Sequence, residues 1–315
     1  MANQVSAKRN YHDIHGIILL NKPQGISSNL ALQKLRHQIK AKKAGHTGNL
    51  DPMATGLLPC CFGDATKVAS LLINSDKTYL ARCVLGSQTD TGDATGEVVA
   101  TAPETTFTDD DIMQACQSLT GDIEQIPPMY SALHHQGQRL YDLARQGKTV
   151  ERPARPVTIH QFKLLKNHPD HIDFEIKVSK GTYIRTLLED FAKALGTVGH
   201  MSALHRTQTG VFSGEHMLTL EQIAELDKPL SCLLPMQEAL VEYPHLSLTQ
   251  PQTQDLIHGK QVQRREADDT YCLFDHNQIF MGLGLLENNR LRVKNIFMKS
   301  YQQVLKLQGF GADQH

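Results

Sequence analysis

The sequence predicts a mixed α and β fold, and three observations carry that prediction. Ile172, Phe174, Ile176 and Val178 alternate with Asp173, Glu175 and Lys177, the period-two pattern of a strand with one buried face. Ile184, Leu187, Leu188, Phe191 and Leu195 follow directly at helical spacing. Strand-like and helix-like stretches precede and follow one another throughout the chain.

The elements follow in order. Residues 1 to about 14 are polar and read as a frayed end. Gly16-Ile17-Ile18-Leu19-Leu20 reads as a short buried strand, stopped by the turn signal Lys22-Pro23-Gln24-Gly25. Ser27 or Ser28 can cap a helix carrying Leu32, Leu35 and Ile39. A glycine-rich stretch runs from Gly45 to Gly56, and Val68, Leu71 and Leu72 mark a further helix. Lys77 to Leu85 reads as a strand. Thr108-Asp109-Asp110-Asp111 has the form of a capping box before a helix with Ile112, Cys116 and Leu119. Residues 127–156 hold four prolines and many polar groups, and read as a long loop or arm with a short helix near Tyr141. Around Pro244 the character changes. A short helix over Gln252 to His258 leads into strands around Tyr271 to Phe274, Phe280 to Leu286 and Leu291 to Phe297. A Glu287-Asn288-Asn289-Arg290 turn joins the last two.

The bulk numbers bound the function. A chain of 315 residues suggests two domains and buries a sizeable core without staples. The net charge of −1 gives no sign of a polyanionic partner, and its distribution is more informative than the total. No acidic residue lies between Asp13 and Asp51, where Lys22, Lys34, Arg36, Lys40, Lys42 and Lys43 fall. Arg290, Arg292, Lys294, Lys299 and Lys306 make a second one-sided stretch. Such stretches either track a phosphate backbone or form a solvated face. The six cysteines include no Cys-x-x-Cys spacing, which argues against a zinc knuckle or thioredoxin-like site. Without an apolar leader or an 18-residue apolar run, the expected place is the cytosol, with reduced thiols.

The most unusual stretch is Gly45-His46-Thr47-Gly48-Asn49-Leu50-Asp51-Pro52-Met53-Ala54-Thr55-Gly56. Its glycines and proline imply special backbone dihedrals, and an aspartate on so fixed a loop can be aimed at a ligand. By itself, Asp before Pro is more often a turn residue. Arg185, in Gly181-Thr182-Tyr183-Ile184-Arg185, lies beside the apolar stripe of its helix. It either reaches inwards to an anion or pairs on the surface with Glu189. Tyr79 and Tyr183 are core aromatics or the walls of a slot for a flat base. His12-x-x-His15, His134-His135 and His168-x-x-His171 lack a third ligand nearby in sequence, so no metal is expected. No phosphate-binding loop or GxGxxG occurs. The Gly86 to Gly96 segment, with Asp90 and Asp93, lacks the EF-hand spacing and closing glutamate of a calcium loop.

The Gly45 to Gly56 loop resembles the signature loop of the TruB family of pseudouridine synthases. Asn21-Lys22-Pro23-Gln24-Gly25, Lys77-Thr78-Tyr79, Gly181-Thr182-Tyr183-Ile184-Arg185 and Leu204-His205-Arg206-Thr207 resemble its other motifs, in the family's order. Asn49 stands where alanine is expected and Met53 where leucine is usual. The resemblance implies an α+β catalytic domain over residues 15–243, with a mixed, mainly antiparallel sheet flanked by helices and an RNA-gripping arm at about 127–156. It also implies a small β-rich, PUA-like RNA-binding domain at 245–310. The implied reaction turns a uridine of the tRNA T-loop, position 55, into pseudouridine after base flipping. Asp51 would be the nucleophile, paired with Arg185, and Tyr79 a participant in proton removal. His46, Tyr79, Tyr183, Leu204, Lys22 and Pro23 would contact substrate. The implied partner is the T-stem loop, met by a monomer with no metal, organic cofactor or membrane. A tRNA-binding chaperone without turnover is the first alternative. A glycosidase would want two flanking carboxyls.

Overall fold

The computed structural model describes residues 11–103, 106–131 and 133–309; residues 1–10, read above as part of a frayed end, lie outside these. A central sheet has nine strands: β1 (Gly16–Lys22), β2 (Ala44–His46), β3 (Thr55–Phe62), β4 (Lys77–Leu85), β5 (Gly121–Gln125), β6 (Arg155–Asn167), β7 (Ile172–Val178), β8 (Gly199–Thr209) and β9 (Phe212–Ser213). The order is β1-β3-β8-β4-β7-β6-β5, with β2 against β3 and β9 against β8. Every pairing is antiparallel except β3 with β8. Helices α1 (Ser28–Gln38), α2 (Asp109–Ser118) and α3 (Ile184–Ala194) flank this sheet. The mixed, mainly antiparallel sheet is the α+β architecture expected.

Local chemistry sets the helix starts. The Ser27 side chain accepts from Leu30 N at α1, and Thr108 and Asp111 complete a reciprocal capping box at α2. The apolar stripe of α3 buries Ile184, Leu187, Leu188 and Phe191 against Ile172, Phe174, Ile176 and Val178 of β7. Phe174 meets Phe162 and Phe191 edge-on at 4.9 and 5.0 Å. Truncating such a side chain costs about 3–5 kcal/mol. β1 and β3 are buried on both faces. Ile18, Leu20, Leu58 and Cys60 pack under α1. Ile17, Leu19, Leu57 and Cys61 face the other way.

That other face meets the second sheet: β10 (His245–Ser247), β11 (Val262–Gln263), β12 (Asp269–Phe274), β13 (Phe280–Glu287) and β14 (Arg290–Ile296), with helices α4 (Gln250–Ile257) and α5 (Met298–Leu307). Asn288 and Asn289 take positive φ of 52° and 61°, which lets β13 and β14 close through a two-residue turn. Cys272, Phe280, Leu283 and Phe297 share one core with Ile17, Leu19 and Leu57. Asp64 Oδ2 accepts from Ser300 N at 3.0 Å, and Lys67 Nζ donates to Ile296 O at 2.7 Å, across the same junction.

The arm expected at 127–156 contains the short helix near Tyr141, Leu140–Arg145, and a two-strand hairpin, His134–His135 with Gln138–Arg139. Its C-terminal limit moves: residues 155 and 156 open β6, paired to Gln125 and Glu124. Strands β5, β6 and β8 carry no clean alternation and were not legible in sequence. Neither was α5. No helix among the described residues is long and apolar enough to cross a membrane.

Candidate active site

The loop between β2 and β3 is held from below by buried groups. Ser28, on α1, donates to Leu50 O at 3.2 Å and accepts from Leu50 N at 2.8 Å. Arg206, 1% exposed, donates through Nε to Leu57 O at 2.7 Å, with Nη2 at 3.5 Å from Gly48 O. Gly56 takes a φ of +100°, and a Cβ there would collide with the Arg206 backbone. Only glycine therefore allows the parallel approach of β3 to β8. Ala54 N closes a turn onto Asp51 O at 3.0 Å.

This fixed loop presents Asp51. Arg185, in the first turn of α3, pairs with it through Nε to Oδ2 at 2.9 Å, and Nη2 donates to Oδ1 at 3.4 Å. The two bonds form the fork that a guanidinium makes with a carboxylate. The Asp51 side chain is 38% exposed and that of Arg185 5%, so the carboxylate is open to a ligand on one side and held on the other. Arg185 is itself anchored. Nη1 donates to Thr91 O at 2.8 Å, Nη2 to Tyr130 O at 2.7 Å, and Asp93 Oδ2 lies 3.8 Å from Nε. Asp93 is fixed in turn, its Oδ1 accepting from Thr95 N at 2.9 Å and Thr91 Oγ1 at 3.0 Å.

Burial pushes the Asp51 carboxyl above its ordinary value; Arg185 pulls it down, Asp93 adds to the rise and Lys22 opposes it. Burial, helped by Arg206, lowers His46, which keeps this imidazole neutral. Burial raises the Tyr183 phenol.

The sequence candidates separate. Asp51 and Arg185 come together, and the surface pair of Arg185 with Glu189 does not form; Glu189 accepts from Gln88 at 3.3 Å. Tyr79 and Leu204 lie in one apolar cluster with Leu50 and Met53, beneath the loop. Tyr183 sits at the start of α3, where its backbone N donates to Gln125 Oε1 at 2.8 Å. His46 ends β2, its Nδ1 accepting from Gly48 N at 3.4 Å. Lys22 departs from its expected contact with substrate. It is fully buried, and Nζ donates to Pro23 O, Ile26 O and Pro52 O at 2.9, 2.7 and 3.4 Å. Its donors are spent on the backbone around the loop, and burial lowers it to about 8. Pro23 supplies one of those carbonyls.

Sequence reasoning missed Asp93, Ser28 and Arg206 as parts of the site. Asp93 lies in the segment weighed as a calcium loop, and its density of Asp and Thr was the available signal. Arg206 lies inside the Leu204-His205-Arg206-Thr207 motif. The first basic stretch is also partly paired within the chain: Lys42 pairs with Asp13 at 2.7 Å on the surface, and Arg36 donates to Ala41 O and Lys42 O.

The mainly antiparallel mixed sheet thus offers one loop aspartate, forked by an arginine and partly open to solvent. Comparison with known proteins identifies the family. Residues 36–184 match the N-terminal domain of the TruB family pseudouridylate synthases, and residues 185–241 the C-terminal domain of tRNA pseudouridylate synthase B. The tRNA pseudouridine synthase B of Hydrogenovibrio crunogenus is 45% identical over 92% of this chain and 96% of its own. That of Nitrosococcus oceani is 44% identical over 90% and 95%. Among solved structures, a Cbf5-Nop10-Gar1 complex aligns with a TM-score of 0.70 over 91% of this chain and 86% of that one, at 24% identity, a likeness of fold. The chain belongs to the TruB family of pseudouridine synthases.

Proposed function

We propose that the protein isomerises uridine 55 of tRNA to pseudouridine, with Asp51 as the nucleophile. The observation that carries the assignment is the Asp51–Arg185 fork, with its arginine tied to Thr91 O and Tyr130 O. A protein that only bound RNA would have no need to hold an accessible carboxylate in that way.

The target base is flipped from the stack, at a cost of a few kcal/mol. The neutral His46 ring suits the displaced stack, and Tyr79, Tyr183 and Leu204 wall the base. The Asp51 carboxylate attacks either C1′ of the ribose or C6 of the base. By either route the C1′–N1 bond breaks, the uracil turns, a C1′–C5 bond forms, and the bond to Asp51 breaks with its electron pair returning to the carboxylate. The proton leaves C5, with Tyr79 as participant, and N1 ends protonated. Atoms and electrons balance within the substrate, so the reaction calls for no oxidant or co-substrate.

The arm is the proposed grip on the T-stem loop. The Arg139 and Arg145 guanidinium groups lie 5.8 and 5.7 Å from the Tyr141 ring centre, a cationic and aromatic surface suited to RNA. We assign residues 15–243 to catalysis and 245–310 to a PUA-like RNA-binding module, and the working unit to a monomer, which light scattering checks. A single-turnover assay on unmodified tRNA transcript, mapped by carbodiimide, tests the function. Pseudouridine confined to the T-loop uridine is expected. Tight binding without product would turn the reading to a chaperone.

A further inference from the structure

The turn between β6 and β7 gathers three side chains that the reaction does not use. His168-Pro169-Asp170-His171 is a tight turn, closed by His168 N donating to His171 O at 2.9 Å. Proline in its second position pre-sets the backbone dihedral. The first and fourth side chains are thereby neighbours, and the His168 and His171 rings stack at 4.2 Å with planes 21° apart. Asp173 follows His171 by two residues, so its side chain lies on the same side as that of His171, the residue that leads into β7. The sequence pair His168-x-x-His171 lacked a third ligand; the strand supplies it.

The spacing of the ligand atoms suits a cation, whose binding would turn the stacked rings apart so that both Nε2 lone pairs meet it. His168 Nε2 lies 3.5 Å and His171 Nε2 3.6 Å from the same oxygen, Asp173 Oδ2. One ligand atom from each of the three residues falls within 4.8 Å of the others. A tetrahedral zinc with bonds of about 2.0–2.1 Å sets its ligands roughly 3.3–3.4 Å apart. His171 Nε2 is buried and has no hydrogen-bond partner. Its other nitrogen, Nδ1, lies 2.8 Å from Asp170 Oδ1, the carboxylate-imidazole arrangement that orients a metal-binding histidine. Asp173 is steadied from behind by Arg82 Nε, which donates to Oδ1 at 2.8 Å. Arg82 Nη2, at 3.2 Å from Oδ2, is the contact that an ion would loosen.

We propose that His168, His171 and Asp173 form a binding site for one divalent transition-metal ion of the zinc class, with water completing the coordination. Two imidazoles and one carboxylate select zinc, cobalt or nickel over magnesium or calcium, which prefer all-oxygen ligands. The site does not depend on the catalytic assignment: its residues lie outside the Asp51 constellation. It fixes the β6–β7 hairpin, and Arg82 and Asp173 also line the groove that holds Leu204 and His205.

The test is calorimetric titration of the full chain with Zn2+, and separately with Mg2+, in a non-chelating buffer at neutral pH. The expected result is one saturable equivalent of Zn2+ and none of Mg2+. Asp170→Asn should weaken binding at least about tenfold, and His168→Ala with His171→Ala should abolish it. Circular dichroism checks that the variants fold. Absence of saturable Zn2+ binding in the unaltered protein would overturn the proposal whatever the variants do. So would binding that survives in the double histidine variant, which would assign the ion to the free thiols.

Discussion

The Asp51 loop and the arm at 127–156 are built on opposite principles. In the loop, Ser28, Lys22 and Arg206 are buried beneath the backbone and hold Leu50, Pro52, Leu57 and Gly48. In the arm, residues 134–152 bury only Leu140 and Leu143 among the described side chains, and the rest is half-buried or exposed. A nucleophile gains from a fixed position, because misplacement by even 1 Å costs orders of magnitude in rate. A surface that must fit a folded RNA gains from accessible cationic and aromatic groups, at low local stability. Tyr130 connects the two, its carbonyl accepting from Arg185.

The comparison breaks most sharply at Asp51. Asp51→Asn should reduce single-turnover product to background while tRNA affinity stays within about tenfold, since phosphate and shape contacts dominate binding. Retained activity above a trace would remove Asp51 from the mechanism. Arg185→Lys keeps a charge but loses the fork, and the saturated rate should fall about a hundredfold or more.

The pH profile gives the Asp51 cluster a sign. The Asp51 carboxyl is raised, so the rate falls as pH drops through that raised value and the carboxylate is protonated. Arg185 lowers it, so Arg185→Lys, with its fork lost, moves the acid limb to higher pH. Asp93 raises it, so Asp93→Asn moves the same limb to lower pH, with a rate loss of about tenfold. Shifts in the same direction for the two variants would show that Asp93 does not act through the charge of the pair.

The smallest effect belongs to the arm. Tyr141→Ala should weaken tRNA binding by about 1–3 kcal/mol if the ring stacks on a base, and leave the saturated rate unchanged. Arg145→Ala should reduce the salt slope of binding by about one. A fall in the saturated rate with affinity intact would place the arm in the chemistry, and erase the contrast with the loop.

The elements with strong local signals were legible in the sequence. β4 and β7 match their apolar patterns, α1 and α2 start at their caps, and Asn288-Asn289 closes its hairpin. β5, β6 and β8 were not legible, because their burial follows from neighbours far away in the chain rather than from a regular alternation. The shared core of Leu57 with Phe280 and Phe297 was equally hidden, and it changes the expectation for the C-terminal module. Removing it would bare apolar surface on the catalytic sheet as well as weaken binding.

By itself, the sequence determined the mixed class, the special loop around Asp51 and the likeness that ties Asp51 to Arg185. Each rests on residue type and spacing within a short window. Only the tertiary structure decided that Lys22 points inward, that Arg206 holds the loop, that Asp93 joins the pair and that His168, His171 and Asp173 converge. Those outcomes depend on which distant groups are buried together. A desolvated charge is stabilised by whatever partner the fold brings within about 4 Å, and that partner need not lie nearby in sequence.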